Sequence, residues 1–260
     1  MHERYLRVLL PASLALGLLA AWEVIVRVEG IPPYILPGPL AILAALWRDW
    51  PVLLPALLVT LEITAVALLA AALGGAGLAI LFALSRTLEL GLLPFAVALQ
   101  VVPVVSIAPV ILVYVEEVSL ALVLCAWLVA FFPVLSNTLL GLRRVDPHLR
   151  DLFILYGATR LQRLLHLELP SALPHFMAGL RISGGLALVG AVVAEFAAGT
   201  SGARAGLAFR LLEAGWRLEI PRMFAALLLL ALTGVTIYLL LALLERLLLG
   251  RWHRGARMAE

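Results

Sequence analysis

The chain contains no lysine: all 19 of its basic residues are arginine. A P-loop needs a lysine amine against nucleotide phosphates, and a Schiff-base enzyme needs one as nucleophile, so neither activity can reside in this polypeptide. Cysteine is almost as scarce. Cys125 is the only one, which excludes an intrachain disulfide and a cysteine-based metal cluster. Its place inside an apolar run marks it as a small buried side chain. Charged residues make up only 13% of the chain. The five histidines, His2, His148, His166, His175 and His253, fall at the inner ends of apolar runs or in loops, where no buried Ser–His pair can be drawn. An intramembrane enzyme is therefore a weak reading, and no catalytic residue, cofactor or metal site is expected. The sequence pI near 9.5 does not point to nucleic acid either, because the arginines lie at the ends of apolar runs and not in one patch with interleaved aromatics.

What the chain has in abundance is apolar surface. It is 64% hydrophobic with a mean hydropathy of +1.10, against roughly 45–50% apolar residues in soluble domains. Six runs are long enough to cross a hydrocarbon core of about 30 Å: near Leu6 to Val26, Ala56 to Leu84, Leu92 to Tyr114, Ser119 to Gly141, His175 to Ala198 and Met223 to Leu249. The expected fold class is all-α, a polytopic membrane protein with about six transmembrane helices. Arg4 and Arg7 precede the first run as they would in a signal peptide, but the run reaches about 20 residues without a small-residue cleavage site, so it is read as a helix. No repeat, low-complexity tract or soluble domain interrupts the pattern, and residues 1–260 are expected to form one transmembrane domain. With both termini in the cytoplasm, thirteen arginines fall inside and six outside. The positive-inside rule selects that orientation.

Polar groups inside the runs are candidates for lining a path. Gln100, Pro103 and Ser106 share the third run with Pro109, and internal prolines predict a kinked helix whose freed carbonyls face protein or water. In the fourth run, Asn137 follows Pro133 and is expected to find a hydrogen-bond partner on another helix. Glu195 lies deep in the fifth run, close to Gly199-Thr200-Ser201-Gly202, so it either lines a path or reaches the interface. Glu62 carries the same two readings. Gly74-Gly75-Ala76-Gly77 permits close helix approach. Leu207 to Ala214 reads as a short helix on the outer surface, and Leu40 to Trp50 as an interfacial one. Arg246, Arg251, Arg254 and Arg257 end the last run as an anchor on anionic inner-leaflet lipid.

One amphipathic stretch, about residues 142–173, stays in water. Asp146 can cap a helix that begins with Pro147. Leu149, Leu152, Phe153 and Tyr156 form an apolar stripe opposite Arg150. Gly157 ends or bends this helix, Arg160 to Leu167 resumes the pattern, and Leu169-Pro170 is expected to stop it.

This stretch resembles the cytoplasmic coupling loop of the membrane-spanning permeases of bacterial ABC importers, whose pattern is E-A-A, then G after three residues, then I-x-L-P about nine further on. Asp151-Leu152-Phe153 occupies the first element, Gly157-Ala158 the second and Leu167-Glu168-Leu169-Pro170 the third. Aspartate stands where the pattern has glutamate, and bulky Leu152-Phe153 where it has paired alanines. Ile31-Pro32-Pro33-Tyr34-Ile35-Leu36-Pro37, Leu99-Gln100-Val101-Val102-Pro103, Phe131-Phe132-Pro133-Val134, Gly179-Leu180-Arg181-Ile182 and Ala194-Glu195-Phe196 are similar to the nitrate, sulfonate and taurine branch, and similar permeases serve pyrimidine precursors of thiamine. The resemblance implies a non-catalytic permease subunit in the bacterial inner membrane that forms the path for a small solute. Asp151, Gly157, Ala158, Leu167, Leu169 and Pro170 would engage the ATPase. It further implies two ATPase subunits that hydrolyse ATP, an extracytoplasmic solute-binding protein and a second permease copy, most simply in a homodimer. The alternative from the residues alone is an ion- or proton-coupled secondary transporter using Glu62 or Glu195.

Overall fold

The computed structural model describes residues 2–199 and 204–250, the side chains of residues 2–8 and 12 excepted. Thr200-Ser201-Gly202 and the terminal Arg251, His253, Arg254 and Arg257 lie outside the described residues, as do the side chains of His2, Arg4 and Arg7. The described residues are helical, in the order α1 (His2–Val28), α2 (Pro39–Arg48), α3 (Trp50–Leu84), α4 (Arg86–Val101), α5 (Val104–Tyr114), α6 (Val118–Arg143), α7 (Pro147–Leu155), α8 (Arg160–Arg163), a π-turn (Leu164–Glu168), α9 (Leu169–Ala198), α10 (Leu207–Trp216) and α11 (Ile220–Leu249). Five helical stretches are long and apolar enough to cross a membrane, and α4 with α5 makes a sixth if the bent pair counts as one span. They group into two compact units, residues 1–59 with 201–231 and residues 60–200 with 232–260.

The first unit is organised around two carboxylates. Gly38 caps α2 without a side-chain bond, and Glu23 from α1 supplies the missing acceptor: its Oε2 takes the Leu40 N–H at 3.1 Å while Oε1 takes Arg27 Nε at 2.6 Å. Asp49, almost fully buried between α2 and α3, accepts from Arg48 and from Arg222 of α11. The Arg222 pair is bidentate at 2.9 and 3.0 Å, the strong geometry for arginine and carboxylate. Arg222, and after it Arg48, hold the Asp49 carboxyl well below the usual carboxylate range. The short helix read over Leu40 to Trp50 is present as α2, Pro39–Arg48; the chain turns at Asp49, and Trp50 opens α3. The short helix read over Leu207 to Ala214 is α10, with Leu207, Ala208, Phe209 and Ala214 buried. Its Glu213 lies below its ordinary pKa because Arg210 donates to it.

The second unit is built on an antiparallel seam between α6 and α9, where small residues let backbones meet. A Cβ on Gly190 would lie 2.7 Å from Ala126 Cα, one on Gly179 2.7 Å from the Pro133 carbonyl oxygen, and one on Gly141 2.9 Å from Ala172 Cα. Between these contacts Ser183 Oγ donates to the Ala130 carbonyl at 2.6 Å. Of the glycine cluster in α3, Gly75 makes the close approach, its missing Cβ facing the Phe131 carbonyl and Leu135 nitrogen of α6 at 3.1 and 3.0 Å; a Cβ on Gly77 would meet no neighbouring atom within 4 Å. At the start of α4, Ser85 accepts the Leu88 N–H, and Glu89 is held by Arg86 and Arg143.

Two expectations are corrected here. The third run is not one kinked helix: α4 and α5 meet at 103° across Val102-Pro103. Pro103 drives Val102 into extended geometry (φ −69°, ψ 122°), and the backbone bonds between the two halves are lost outright. The helix that begins at Arg160 does not stop at Leu169-Pro170. It continues to Ala198 as 39 residues, roughly 58 Å at 1.5 Å per residue. Pro170 has no N–H to give the His166 carbonyl and would press on it in a regular α-turn. The π-turn ahead of it, in which Leu169 N–H reaches the Leu164 carbonyl, takes up the mismatch.

Candidate functional site

The water-facing elbow is assembled from local rules. Asp146 accepts the His148 N–H at 2.8 Å, and Pro147, which needs no donor, opens α7. The helix ends in a Schellman motif. Gly157, at φ +68°, donates to the Ile154 carbonyl, and Ala158 donates to the Phe153 carbonyl, both at 2.9 Å. Glycine is needed for the dihedral and not for space, since nothing lies within 4 Å of its absent Cβ. Thr159 then starts α8 with a reciprocal capping box to Gln162. The two halves are tied by Arg150 to Glu168 at 2.9 Å, and Arg160 donates to the Ala83 carbonyl at the end of α3. None of these ties was legible from the sequence, because each partner lies far along the chain.

This framework holds its apolar stripe outward. Leu149, Leu152, Leu155 and Tyr156 are exposed, Tyr156 to 83%. Leu152, Phe153, Tyr156, Gly157, Ala158, Gln162 and His166 line a groove of about 570 Å³. Of the coupling residues expected above, Asp151, Gly157 and Ala158 lie on or beside this groove. Leu167 is buried, and Leu169 and Pro170 are half-buried at the join to α9.

The α4–α5 break forms a second site. Leu99, Gln100, Val101, Val102, Pro103, Val104 and Ile107 face Leu128, Val129 and Pro133 of α6 and Leu186 of α9 around a pocket of about 320 Å³. The carbonyls of Leu99, Gln100 and Val101 receive no backbone N–H across the break, and the Val104 N–H at the start of α5 has no backbone acceptor. Pro133 likewise withdraws the N–H that the Val129 carbonyl would take in an α-helix. Gln100 and Pro103 therefore come together here. Ser106 is exposed on α5 outside the lining. Asn137 does not reach across to another helix: its Nδ2 donates to the Pro133 carbonyl one turn back at 2.8 Å, and its Cβ lies against Gly179. The close seam leaves it no span to cross. Glu195 lies away from the pocket, fully buried, and accepts from Thr60 Oγ1 at 2.7 Å, while Thr64 Oγ1 donates to the Thr60 carbonyl. Glu62 is exposed on α3.

Known proteins with this architecture identify its lineage. Residues 75–250 match the family described as binding-protein-dependent transport system inner membrane component. The chain is 40% identical over 252 residues to the riboflavin transport system permease protein RibX of Chloroflexus aurantiacus, spanning 94% of this chain and 90% of that one. It is 31% identical to the formylaminopyrimidine transport permease protein ThiX of Halalkalibacterium halodurans, spanning 95% and 97%. The putative aliphatic sulfonates transport permease protein SsuC of Bacillus subtilis is 30% identical, spanning 95% and 87%. Among solved structures, an amino acid ABC transporter shares the fold with a TM-score of 0.62 at 20% identity, over 76% of this chain and 95% of that one. The chain thus belongs to the binding-protein-dependent permeases of ABC importers, in the nitrate, sulfonate and taurine branch, and is a multi-pass protein of the inner membrane.

Proposed function

We propose that the chain works as a single permease domain over residues 1–260, pairs with a second copy of itself, and is driven through its elbow by two ATPase subunits that it does not encode. The observation that carries this reading is the unbroken helix from Arg160 to Ala198, which joins the exposed groove of the elbow to the seam behind the α4–α5 pocket. An ATPase seated on Leu152, Phe153, Tyr156 and Gly157 would push on a lever whose far part packs rigidly on α6, and rigid helices convert such a push into alternating access. Asp151, Ala158, Leu167, Leu169 and Pro170 shape the docking end. Gln100 and Pro103 face the path at the break, where discontinuous helices expose backbone groups to a solute; Ser106, Asn137 and Glu195 support it from α5, the seam and the α3–α9 contact. A solute-binding protein delivers the solute from outside, and both termini face the cytoplasm, the orientation that the arginine distribution supports. The relatives are named for solutes that include riboflavin, formylaminopyrimidine, sulfonates and nitrate, and the cargo here is a small solute of that range.

The test is Gly157→Val in the complex reconstituted with its ATPase and binding protein. A β-branched residue at φ +68° is strained by about 1–2 kcal/mol, so the elbow should distort while insertion stays intact. The expected result is loss of solute-stimulated ATP hydrolysis. Wild-type stimulation would overturn the elbow's role.

A further inference from the structure

The end of α11 carries a polar cluster that neither the elbow nor the α4–α5 break uses. Between Arg222 and Glu245 the helix holds 22 residues without a charge, roughly 33 Å at 1.5 Å per residue, which matches a hydrocarbon core of about 30 Å. Glu245 and Arg246 therefore stand where the helix leaves the acyl region for the headgroups. Tyr238, Ala242, Glu245, Arg246 and Leu249 share one face of α11 and, with Arg181 of α9, line a hollow of about 570 Å³. Gly184 brings the two helices together, its absent Cβ facing Leu241 and Ile237, and Leu249 packs with Met177 and Leu180 of α9.

Arg181 reaches from α9 across this hollow. Its guanidinium carbon lies 5.7 Å from the centre of the Tyr238 ring, which holds it in place, and its Nη1 donates to Glu245 Oε2 at 3.0 Å. That bond leaves both groups with spare capacity. Arg181 keeps further N–H donors and Glu245 a second carboxylate oxygen, without other partners among the described residues. The Arg246 side chain is exposed and likewise unbonded among them. The hollow thus presents both signs of charge: two guanidinium groups, and against them the free Glu245 oxygen and the negative end of α11, which stops at Leu249. A purely anionic headgroup would satisfy the first set and oppose the second. A headgroup with an ammonium beside its phosphate satisfies both, and a primary ammonium brings three N–H donors where a quaternary one brings none.

We infer that this hollow binds one zwitterionic phospholipid of the phosphatidylethanolamine type, its phosphodiester on Arg246 and the free N–H groups of Arg181 and its ammonium on Glu245. The acyl chains follow Leu239 and Leu243, 58% and 53% exposed along the same part of α11. Arg246 then works in a selective site, beyond the diffuse attraction of a basic helix end for anionic lipid.

The full chain, purified in detergent with its ATPase subunits and stripped of lipid, is titrated with phosphatidylethanolamine, phosphatidylglycerol or phosphatidylcholine of identical acyl chains. Native mass spectrometry counts the lipids retained. The wild type should hold one phosphatidylethanolamine per permease chain about tenfold more tightly than either other lipid, the factor given by one charge-assisted hydrogen bond. Glu245→Gln should erase the preference over phosphatidylglycerol, and Arg246→Gln should weaken all three lipids. Because the Arg246 side chain is exposed, its variant keeps the test readable if Glu245→Gln loosens the helix pair. Equal or tighter retention of phosphatidylglycerol by the wild type, or retention unchanged in both variants, overturns the inference. So does the absence of any saturable lipid, the result expected if a second copy of the chain covers this face of α11.

Discussion

Two prolines interrupt helices of the second unit and meet opposite fates. At Pro103 the helix breaks and turns through 103°, leaving carbonyls and N–H groups without backbone partners. At Pro170 the helix runs on, because a π-turn over Leu164–Glu168 widens the register before the ring arrives. The lost bond is the same in both places. What differs is the preceding turn: α4 stays regular up to Val101 and Val102 adopts extended geometry, whereas the chain before Pro170 accommodates one extra residue per turn. The first solution makes an opening with exposed polar backbone. The second keeps one continuous helix from the elbow to the seam. On the proposed function the first serves the path and the second serves as the lever, both derived from one residue type.

The comparison can be broken most forcefully at Pro103. Pro103→Ala removes a helix-breaking preference of about 3 kcal/mol, so α4 and α5 should straighten. Spin labels at the exposed positions 97 and 110 should move apart and uptake should fall; an unchanged separation would show that the break does not depend on the proline. Next comes the seam that stiffens the lever. Gly179→Leu forces a side chain into the Pro133 carbonyl, 2.7 Å from the first added carbon, and should cost about 2–3 kcal/mol, read as a lower Tm of the detergent-solubilised protein. Asp49, in the other unit, is a control that neither proline site should influence. Its carboxyl is held below the usual range by Arg222 and Arg48. The stabilisation is therefore fully present above the unfolded value of about 3.9 and is lost as pH falls toward the lower folded value. Asp49→Asn should cost about 2 kcal/mol at neutral pH and should flatten the acid loss seen below about pH 4 in the wild type; an identical acid profile in the two proteins would count against the clamp. The smallest effect is expected from Pro170→Ala, under about 1 kcal/mol, because the π-turn already relieves the ring. A loss of uptake as large as that of Pro103→Ala would erase the distinction between the two sites.

The sequence revealed those features whose causes are local. Asp146 and Pro147 open α7 as their side-chain chemistry requires, and Gly157 closes it through the left-handed dihedral that lets the Gly157 and Ala158 N–H groups turn back on the helix. The apolar runs mark the spans because burial in lipid demands length. The prolines were visible, but their outcomes were not: a kink, a break and a π-turn differ in hydrogen-bond register, which composition does not encode. Asn137 was expected to bridge helices, yet the glycine opposite it brings α9 so close that its amide turns back to Pro133. The Glu23 cap on α2, the Arg48–Asp49–Arg222 clamp and the Thr60–Glu195 bond join residues distant in sequence. No periodicity announces such pairs.

The central claim is that force arriving at the elbow changes the state of the α4–α5 break. Alkylation of Val102→Cys measured in the assembled complex, nucleotide-free and then trapped with ATP and vanadate, tests it most directly. The account predicts rates that differ by about tenfold between the two states, as expected for a site that exchanges open and closed forms, and a difference that collapses when Gly157→Val is added. Equal rates in both states, in a complex that still turns over ATP, would contradict it.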